Sequence, residues 1–437
     1  MIYFKTLRNI RVKHNLSHKE FADIMGCKVD YILSLENQSE DEREKATPEF
    51  VAKLRDKFNL HNAPITEPER EAFIESLHQW KILIDYGFLD QAKQLMSELA
   101  KIAEISYSPS VQVLYELYAA SYYRMAHDTK SFMNALHDLS KRTHEFIPKH
   151  HFLYNHLVAV REYMACRYHS MLEALQKAEK QDKNSAWGDV GFYYLYGLCL
   201  TEMGYAVRAI EYFKRAQHLA RNNKVYNGKP NRIYDAYIDG IMAENLSKIG
   251  KSEEALIIMG KRLNNEKRKK SAPIIFGYVY HFIGSVHRRA KRYSEAIENF
   301  DMAFQHLKES DEIYRGNLYY KALALIDSDR ICEGLSCIDE GLSITGNNDV
   351  HDEIWDALFK ALKHSTSLTN PESLEHMEKT AIPKLLEYGQ FEEVLGFYER
   401  LRNFYEKEGN CVRVRYYCDR ALEVHNRLYK ERIEGGL

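Results

Sequence analysis

The chain has 437 residues, of which only 9 are proline and 21 glycine, roughly 7% together where about 12% is the average. Long stretches therefore lack helix-breaking residues, which excludes collagen and disordered chains and disfavours strand-turn-strand architectures. The 61 Lys and Arg residues balance 63 Asp and Glu. Because this balance gives the chain as a whole no attraction to nucleic acid or anionic lipid, a local basic surface would have to bind any such partner.

The first 60 residues have the pattern of a small helical DNA-binding domain. After a short helix near residue 7, Ser17 and Glu20 form a capping box for a helix that Gly26 ends. Ala22 is small enough to let the next helix cross closely, and Thr47 is a good N-cap for a fourth helix. This helix-turn-helix arrangement resembles the lambda-repressor (Xre) type.

That resemblance implies that the helix opening at Lys28 enters the major groove, while the start of the preceding helix meets phosphate. The residues placed at DNA are Ser17, His18, Lys19, Lys28, Val29, Tyr31 and Ser34. His18 stands where the family usually has Gln, and Gln38 where it usually has Gly. Residues 36–60 are more acidic than basic, so we expect a dimer to present two domains to DNA. The alternative is a helix-turn-helix that serves packing or protein contact.

Residues 69–437 repeat one helical pattern. A small residue is followed twelve positions later by Ala, four further by Phe and three further by Ala, first at Gly197 and again at Gly284. This is the pattern of a tetratricopeptide (TPR) helical hairpin. The frame recurs about every forty residues, with first members Trp80, Ala120, Ala159, Gly197, Ala243, Gly284, Ala322, Ala361 and Arg402.

The sequence therefore predicts an all-α fold: the helix-turn-helix domain over 1–60, a linker over 61–68, and a right-handed TPR superhelix of about nine hairpins over 69–437. An armadillo-like solenoid is the alternative. First helices are expected to begin at Pro109, Pro148, Pro230 and Pro273, and turns to fall at Gly87, Gly204, Gly250 and Gly409. Pro383 lies inside a helical pattern and predicts a kink there.

No motif indicates catalysis, a metal or a cofactor, so we expect a protein that is not an enzyme. Gly250-Lys251-Ser252 resembles the end of a phosphate-binding loop, but Asn245 stands where the required glycine would be. The seven scattered cysteines are expected to be reduced core thiols. Because neither a signal peptide nor a membrane-spanning run is present, we expect a cytoplasmic protein with no membrane contact.

The first helices carry a set of polar and aromatic side chains on one face. Positions three before, one after and four after the small residue share the face turned toward a TPR groove. These positions, with two tyrosines one turn earlier, are Arg124, His156, Tyr163, Tyr194, Tyr237, Glu244, Tyr278, His281, Arg288 and Tyr319. Such side chains suit an extended peptide. The alternative is that they are half-buried spacers.

The whole arrangement resembles the RNPP family of bacterial quorum-sensing receptors, in the layout of its NprR-like members. The resemblance implies a cytoplasmic transcription regulator that binds a double-stranded DNA operator as a homodimer or higher homo-oligomer. Its TPR groove would bind a short signalling peptide that changes solenoid conformation or oligomeric state. Asn245 and Asn317 are nearest to the asparagines with which this family holds a peptide backbone.

Two other functions stay open at this point. One is a Rap-like solenoid that binds and inhibits a response-regulator protein, with the helix-turn-helix secondary. The other is a repressor without a peptide ligand.

Overall fold

The structure, a computed structural model, describes residues 4–36, 46–61, 63–85, 87–106, 108–222, 232–269, 273–309, 311, 313–344 and 350–434. The first four helices belong to the N-terminal domain: α1 (Phe4–Lys13), α2 (His18–Met25), α3 (Val29–Glu36) and α4 (Pro48–Phe58). The predicted capping box of α2 is present, Gly26 ends that helix in the left-handed region, and Thr47 caps α4. Residue Gln38 lies outside the described residues.

Nine helical hairpins follow within the described ranges, as predicted. In chain order they are α5/α6 (Glu67–Asp85, Leu89–Ile105), α7/α8 (Pro109–Met125, Thr129–Ser140), α9/α10 (Pro148–Met164, Tyr168–Gln181), α12/α13 (Val190–Glu202, Ala206–Asn222), α14/α15 (Arg232–Lys248, Ser252–Lys269), α16/α17 (Pro273–Arg289, Tyr293–Phe304), α18/α19 (Ile313–Asp327, Ile331–Ser343), α20 with α21 and α22 (Val350–Ser365, Pro371–His376, Ile382–Glu387), and α23/α24 (Phe391–Lys407, Cys411–Glu434). A short helix, α11 (Lys183–Gly188), lies between the third and fourth hairpins. Pro230 lies outside the described residues, whereas the other three predicted prolines begin first helices.

The turn inside most hairpins has one residue in the left-handed region. The predicted glycines occupy it in four hairpins, with φ values from 69° to 81°. His127, Cys166, Lys291 and Asp329 occupy the same place in four others. The Gly250 to Ser252 stretch is therefore a hairpin turn, as its sequence context indicated.

Lys291→Gly is expected to raise the local free energy of unfolding of α16/α17 by about 0.5 to 1 kcal/mol, because a side chain in the left-handed region is strained and glycine is not. The reverse exchange, Gly250→Ala, should lower the local stability of α14/α15 by a similar amount. Hydrogen exchange of the helix amides measures both changes. If both substitutions change local stability in the same direction, this explanation is wrong.

The helix is interrupted just before Pro383, where the sequence predicts a kink. Residues Met377–Ala381 form a π-helical turn directly before α22, which holds Pro383 in its first turn. Proline cannot donate the hydrogen bond of a continuous α-helix, and a wider turn accommodates that loss.

Two residues of the predicted linker, Ala63 and Ile65, pack against the N-terminal domain. Both are buried in the same core as α1 to α4. Arg55 Nη1 donates to the carbonyl oxygens of residues 60, 61 and 63 at 2.9 to 3.2 Å. Its Nη2 donates to both carboxylate oxygens of Glu69, at 2.6 and 2.7 Å. One guanidinium thus connects α4 to the first turn of α5.

The chain divides into two compact units, residues 1–158 with 176–185, and residues 159–175 with 186–437. The N-terminal domain and residues 61–68 belong to the first unit, and the hairpins from α12 onward belong to the second. Among the described helices, none combines the length and apolar character needed to cross a bilayer.

Candidate functional site

The N-terminal domain of the first unit holds a buried ion pair. Arg11 Nε and Nη2 donate to the two carboxylate oxygens of Glu36, each at 2.8 Å, and His18 Nε2 lies 3.1 Å from Glu36 Oε2. Since Glu36 ends α3 and Arg11 lies in α1, the pair fixes α3 against its neighbours. His18 is therefore engaged inside the domain.

The predicted DNA-contacting residues divide into exposed and packed groups. Ser17, Lys19 and Lys28 are exposed. Tyr31 lies edge-on to Phe50 with ring centroids 5.5 Å apart. Val29 packs partly on the domain core, and the Ser34 hydroxyl donates to the Tyr31 carbonyl at 2.8 Å.

Lys53 is a further cation at the turn between α2 and α3. A Cβ atom on Gly26 would lie 2.7 Å from Lys53 Nζ, so this exposed side chain reaches back from α4 to the turn. Sequence reasoning missed it because the contact depends on how α4 folds back across the domain.

The predicted groove residues of the first unit, Arg124 and His156, are both half-buried. The other eight lie in the second unit. Tyr163 and Tyr194 are half-buried beside Tyr168 and Phe213 respectively, with ring centroids 6.4 and 6.2 Å apart. Tyr237 and Tyr278 lie ring against ring at 4.3 Å.

The prediction for Tyr319 is wrong. Its side chain is only 1% exposed, and its ring packs against Trp355 and Phe359 of the following hairpin. The repeat frame gave the correct helix, but the next hairpin covers this position, so Tyr319 belongs to the core.

His281 and Tyr278 are also buried rather than open to a groove. His281 Nδ1 lies 3.0 Å from Asn317 Oδ1, and Asn317 Nδ2 donates to the Phe300 carbonyl at 3.0 Å. Burial lowers the pKa of His281 to about 4 although Asn317 opposes the shift. The ring is therefore neutral at neutral pH and holds adjacent hairpins together.

Glu244 and Arg288, in contrast, belong to a concentration of charge in the second unit. Arg288 lies over the Tyr320 ring, 5.0 Å from its centroid. We call the whole set the charged cluster; it consists of Glu202, Glu244, Lys248, Arg288, Arg289, Glu392 and Glu393. Sequence reasoning predicted only Glu244 and Arg288 among these seven residues. Glu392 and Glu393 could not be placed with them because they come from α23, far along the chain.

One carboxylate is held firmly between two cations. Lys248 Nζ lies 3.0 Å from Glu392 Oε2, and Arg289 Nη1 and Nη2 donate to Glu392 Oε1 and Oε2 at 3.3 and 3.4 Å. Burial disfavours the charged carboxylate, but Lys248 and Arg289 outweigh it and lower the pKa of Glu392 to about 2. Glu392 is therefore ionised throughout the physiological range.

Glu202 behaves in the opposite way. Burial, with the nearby carboxylates of Glu244, Glu393 and Glu392, raises its pKa to about 7 against the attraction of Lys248. Burial and Glu392 likewise raise the pKa of Glu393. The cluster thus holds one carboxyl group, that of Glu202, which takes up a proton near neutral pH.

Glu202→Gln is expected to stabilise the second unit at pH 8 and to have little effect at pH 5. The folded-state pKa of Glu202 lies above its unfolded value, so folding favours the protonated form, and stability falls as pH rises from about 4.5 through 7. Because the carboxyl is half-buried, the difference should be only on the order of 1 to 2 kcal/mol.

Urea midpoints at the two pH values measure this effect, with the exposed Glu211→Gln as control. If the difference in urea midpoint between wild type and Glu202→Gln does not grow as pH rises, the raised pKa of Glu202 is not the cause.

Within the described residues, no three His, Cys, Asp or Glu side chains group as metal ligands. Of the cysteines, Cys199 and Cys337 are buried, but Cys332, Cys411 and Cys418 are exposed. The expectation of core thiols is wrong for those three, because they lie on outward faces of second helices.

Solved structures share this architecture at low sequence identity. A Rap protein complexed with competence and sporulation factor is 14% identical, with 83% of this chain and 99% of that chain covered and a TM-score of 0.70. NprR in complex with its cognate peptide NprX is 18% identical, covering 82% and 98%, with a TM-score of 0.63. The apo form of the quorum sensor NprR from B. thuringiensis is 19% identical, covering 81% and 99%, with a TM-score of 0.62.

No protein-family model matches the sequence, and no curated protein matches it. Because these solved structures share only 14 to 19% of their sequence with this chain, the similarity shows a common fold and nothing more. The chain has the helical-repeat fold of the Rap and NprR proteins.

Proposed function

We propose that this protein is a peptide-responsive, DNA-binding transcription regulator and not an enzyme. The N-terminal domain binds a double-stranded operator, and the second unit binds a short signalling peptide that changes solenoid conformation or oligomeric state. The observation that carries the proposal is the joining of a helix-turn-helix domain to hairpins that gather aromatic and charged side chains.

The DNA-binding part rests on the geometry of α2 and α3. A capped α2, a left-handed glycine and a short α3 are the elements that place a recognition helix in a major groove. Lys19, Lys28 and Lys53 supply exposed positive charge around the turn. A homodimer doubles this modest charge and sets a half-site spacing.

The peptide-binding part rests on the second unit. Half-buried tyrosines can hold apolar side chains of a peptide, while the charged cluster can meet its termini and ionic side chains. Two of the solved structures with this fold are complexes with a peptide or signalling factor. The fold is therefore compatible with a peptide ligand.

The test is affinity selection from a synthetic library of random short peptides with the full chain. We expect defined peptides to be enriched, Arg288→Ala to weaken their binding by about tenfold, and the exposed control Arg415→Ala to leave it unchanged. Absence of enrichment, or binding that ignores Arg288, would contradict the proposal.

A second candidate is a Rap-like solenoid that binds and inhibits a response-regulator protein, with the helix-turn-helix secondary. It is favoured by the contact of His18 with Glu36 inside the domain, which takes this side chain away from DNA. Pull-down of purified response-regulator receiver domains by the full chain, with and without enriched peptide, separates this candidate from the first.

A further inference from the structure

The contact of Glu392 with Lys248 and Arg289 joins parts of the second unit that are remote in sequence. Glu392 lies in the first turn of α23, whereas Lys248 and Arg289 are the last residues of α14 and α16. The three side chains therefore connect the ninth hairpin to the first helices of the fifth and sixth.

The two cations are built into the protein more firmly than the carboxylate between them. The side chains of Lys248 and Arg289 are 17% and 27% exposed, whereas that of Glu392 is 44% exposed. Both cations lie at helix C-termini, where the helix dipole stabilises positive charge. The carboxylate can therefore move into water more readily than either cation can.

The segment that carries Glu392 also packs on the core of the later hairpins, through Phe391 and the fully buried Val394. Tyr388 donates a hydrogen bond to Glu353, and a Cβ atom on Gly389 would lie 3.5 Å from the Tyr168 ring. Gly389 has a φ of 71°, so the chain turns sharply just before α23. Loss of the Glu392 contact would therefore free the first turn of α23 from the ends of α14 and α16, while Phe391 and Val394 stay packed on the core.

We propose that Lys248 and Arg289 form a carboxylate-binding site that Glu392 fills in this structure, and that a ligand carboxylate binds there by replacing Glu392. The ligand class is a peptide with a free C-terminal carboxylate or an Asp or Glu side chain. The identity of the ligand as a peptide rests on the proposed function, whereas the carboxylate site does not. Exchange at this site releases the start of α23, which makes the ninth hairpin responsive to ligand.

The site is tested first without any peptide, by chemical rescue in the full chain. Glu392→Ala removes the group that acetate can replace. We expect amide exchange at the start of α23 to become about tenfold faster in this variant, and acetate to slow it again while acetamide and chloride at equal ionic strength do not. Glu399→Ala, an exposed carboxylate on the same helix, should show neither effect.

Rescue must also depend on the cations. In the double variant Lys248→Met with Glu392→Ala, acetate should have no effect. Rescue that acetamide reproduces, or that persists without Lys248, would overturn the carboxylate site.

The exchange is tested with peptides enriched from the random library, each with a free or an amidated C-terminus. We expect Glu392→Ala to bind carboxylate-bearing peptides about tenfold more tightly than wild type and Lys248→Met to bind them about tenfold more weakly. If amidation of the C-terminus weakens binding, the C-terminal carboxylate is the group that replaces Glu392. If acidic peptides keep their affinity when amidated, an Asp or Glu side chain is that group.

Equal affinities across these variants would overturn the exchange and leave the proposed function standing. Acetate rescue combined with a failure of the library selection to enrich any peptide would instead support the carboxylate site and contradict the proposed function.

Discussion

Gly284→Ala is expected to lower the local free energy of unfolding of α16/α17 by about 1 to 3 kcal/mol. A Cβ atom at this position would lie 2.7 Å from two ring carbons of Phe300, and Phe300 is fully buried within the core of the later hairpins. The ring cannot move aside without disturbing neighbouring side chains. The gain in helix propensity from glycine to alanine, about 1 kcal/mol, offsets only part of this cost.

Gly396→Ala is the matched control, because Gly396 is also helical but nothing lies within 4 Å of its Cβ position. It should raise the local stability of α23 by about 0.5 to 1 kcal/mol. Hydrogen exchange resolves the two helices separately. A stabilising effect of Gly284→Ala would contradict the close helix approach that defines the repeat.

Glu36→Ala is expected to destabilise the N-terminal domain by about 3 kcal/mol or more, because it leaves the Arg11 guanidinium without its carboxylate. The side chains of Arg11 and Glu36 are only 11% and 2% exposed, so water cannot replace the lost partner. The exposed Asp23→Ala should change stability by less than about 0.5 kcal/mol.

A double variant, Arg11→Met with Glu36→Leu, distinguishes loss of a partner from loss of volume. Replacing both ions by apolar side chains should recover most of the stability lost in Glu36→Ala. Thermal unfolding followed through the N-terminal amides measures all three. If the double variant is as unstable as Glu36→Ala, the unpaired charge is not the cause.

The repeat architecture could be predicted from sequence because it depends on local spacing. The frame that begins at Gly197 and Gly284 predicts which residues meet inside one hairpin, and rings of Phe213 and Phe300 lie at both positions. The same holds for the capping box at Ser17 and for the interruption before Pro383. Each follows from residues within about one repeat of each other.

The site could be predicted only in part. Glu244 and Arg288 could be predicted because each occupies a groove-facing position of the repeat on its own first helix. Lys248, Arg289 and Glu392 meet only once the hairpins have stacked. Tyr319 was assigned to a groove because the frame of one hairpin cannot show that Trp355 of the next covers it. Contacts between hairpins depend on the rotation from repeat to repeat, which local spacing does not determine.

The measurement that tests the central claim most directly is selection from random duplex DNA by the full chain. The account predicts enrichment of a defined sequence, with binding that weakens steeply as salt concentration rises. Lys28→Glu should abolish this binding, while Lys407→Glu, a charge reversal far along the chain in α23, should leave it intact. Absence of an enriched sequence, or enrichment that survives Lys28→Glu, would contradict a DNA-binding role for the N-terminal domain and favour the response-regulator alternative.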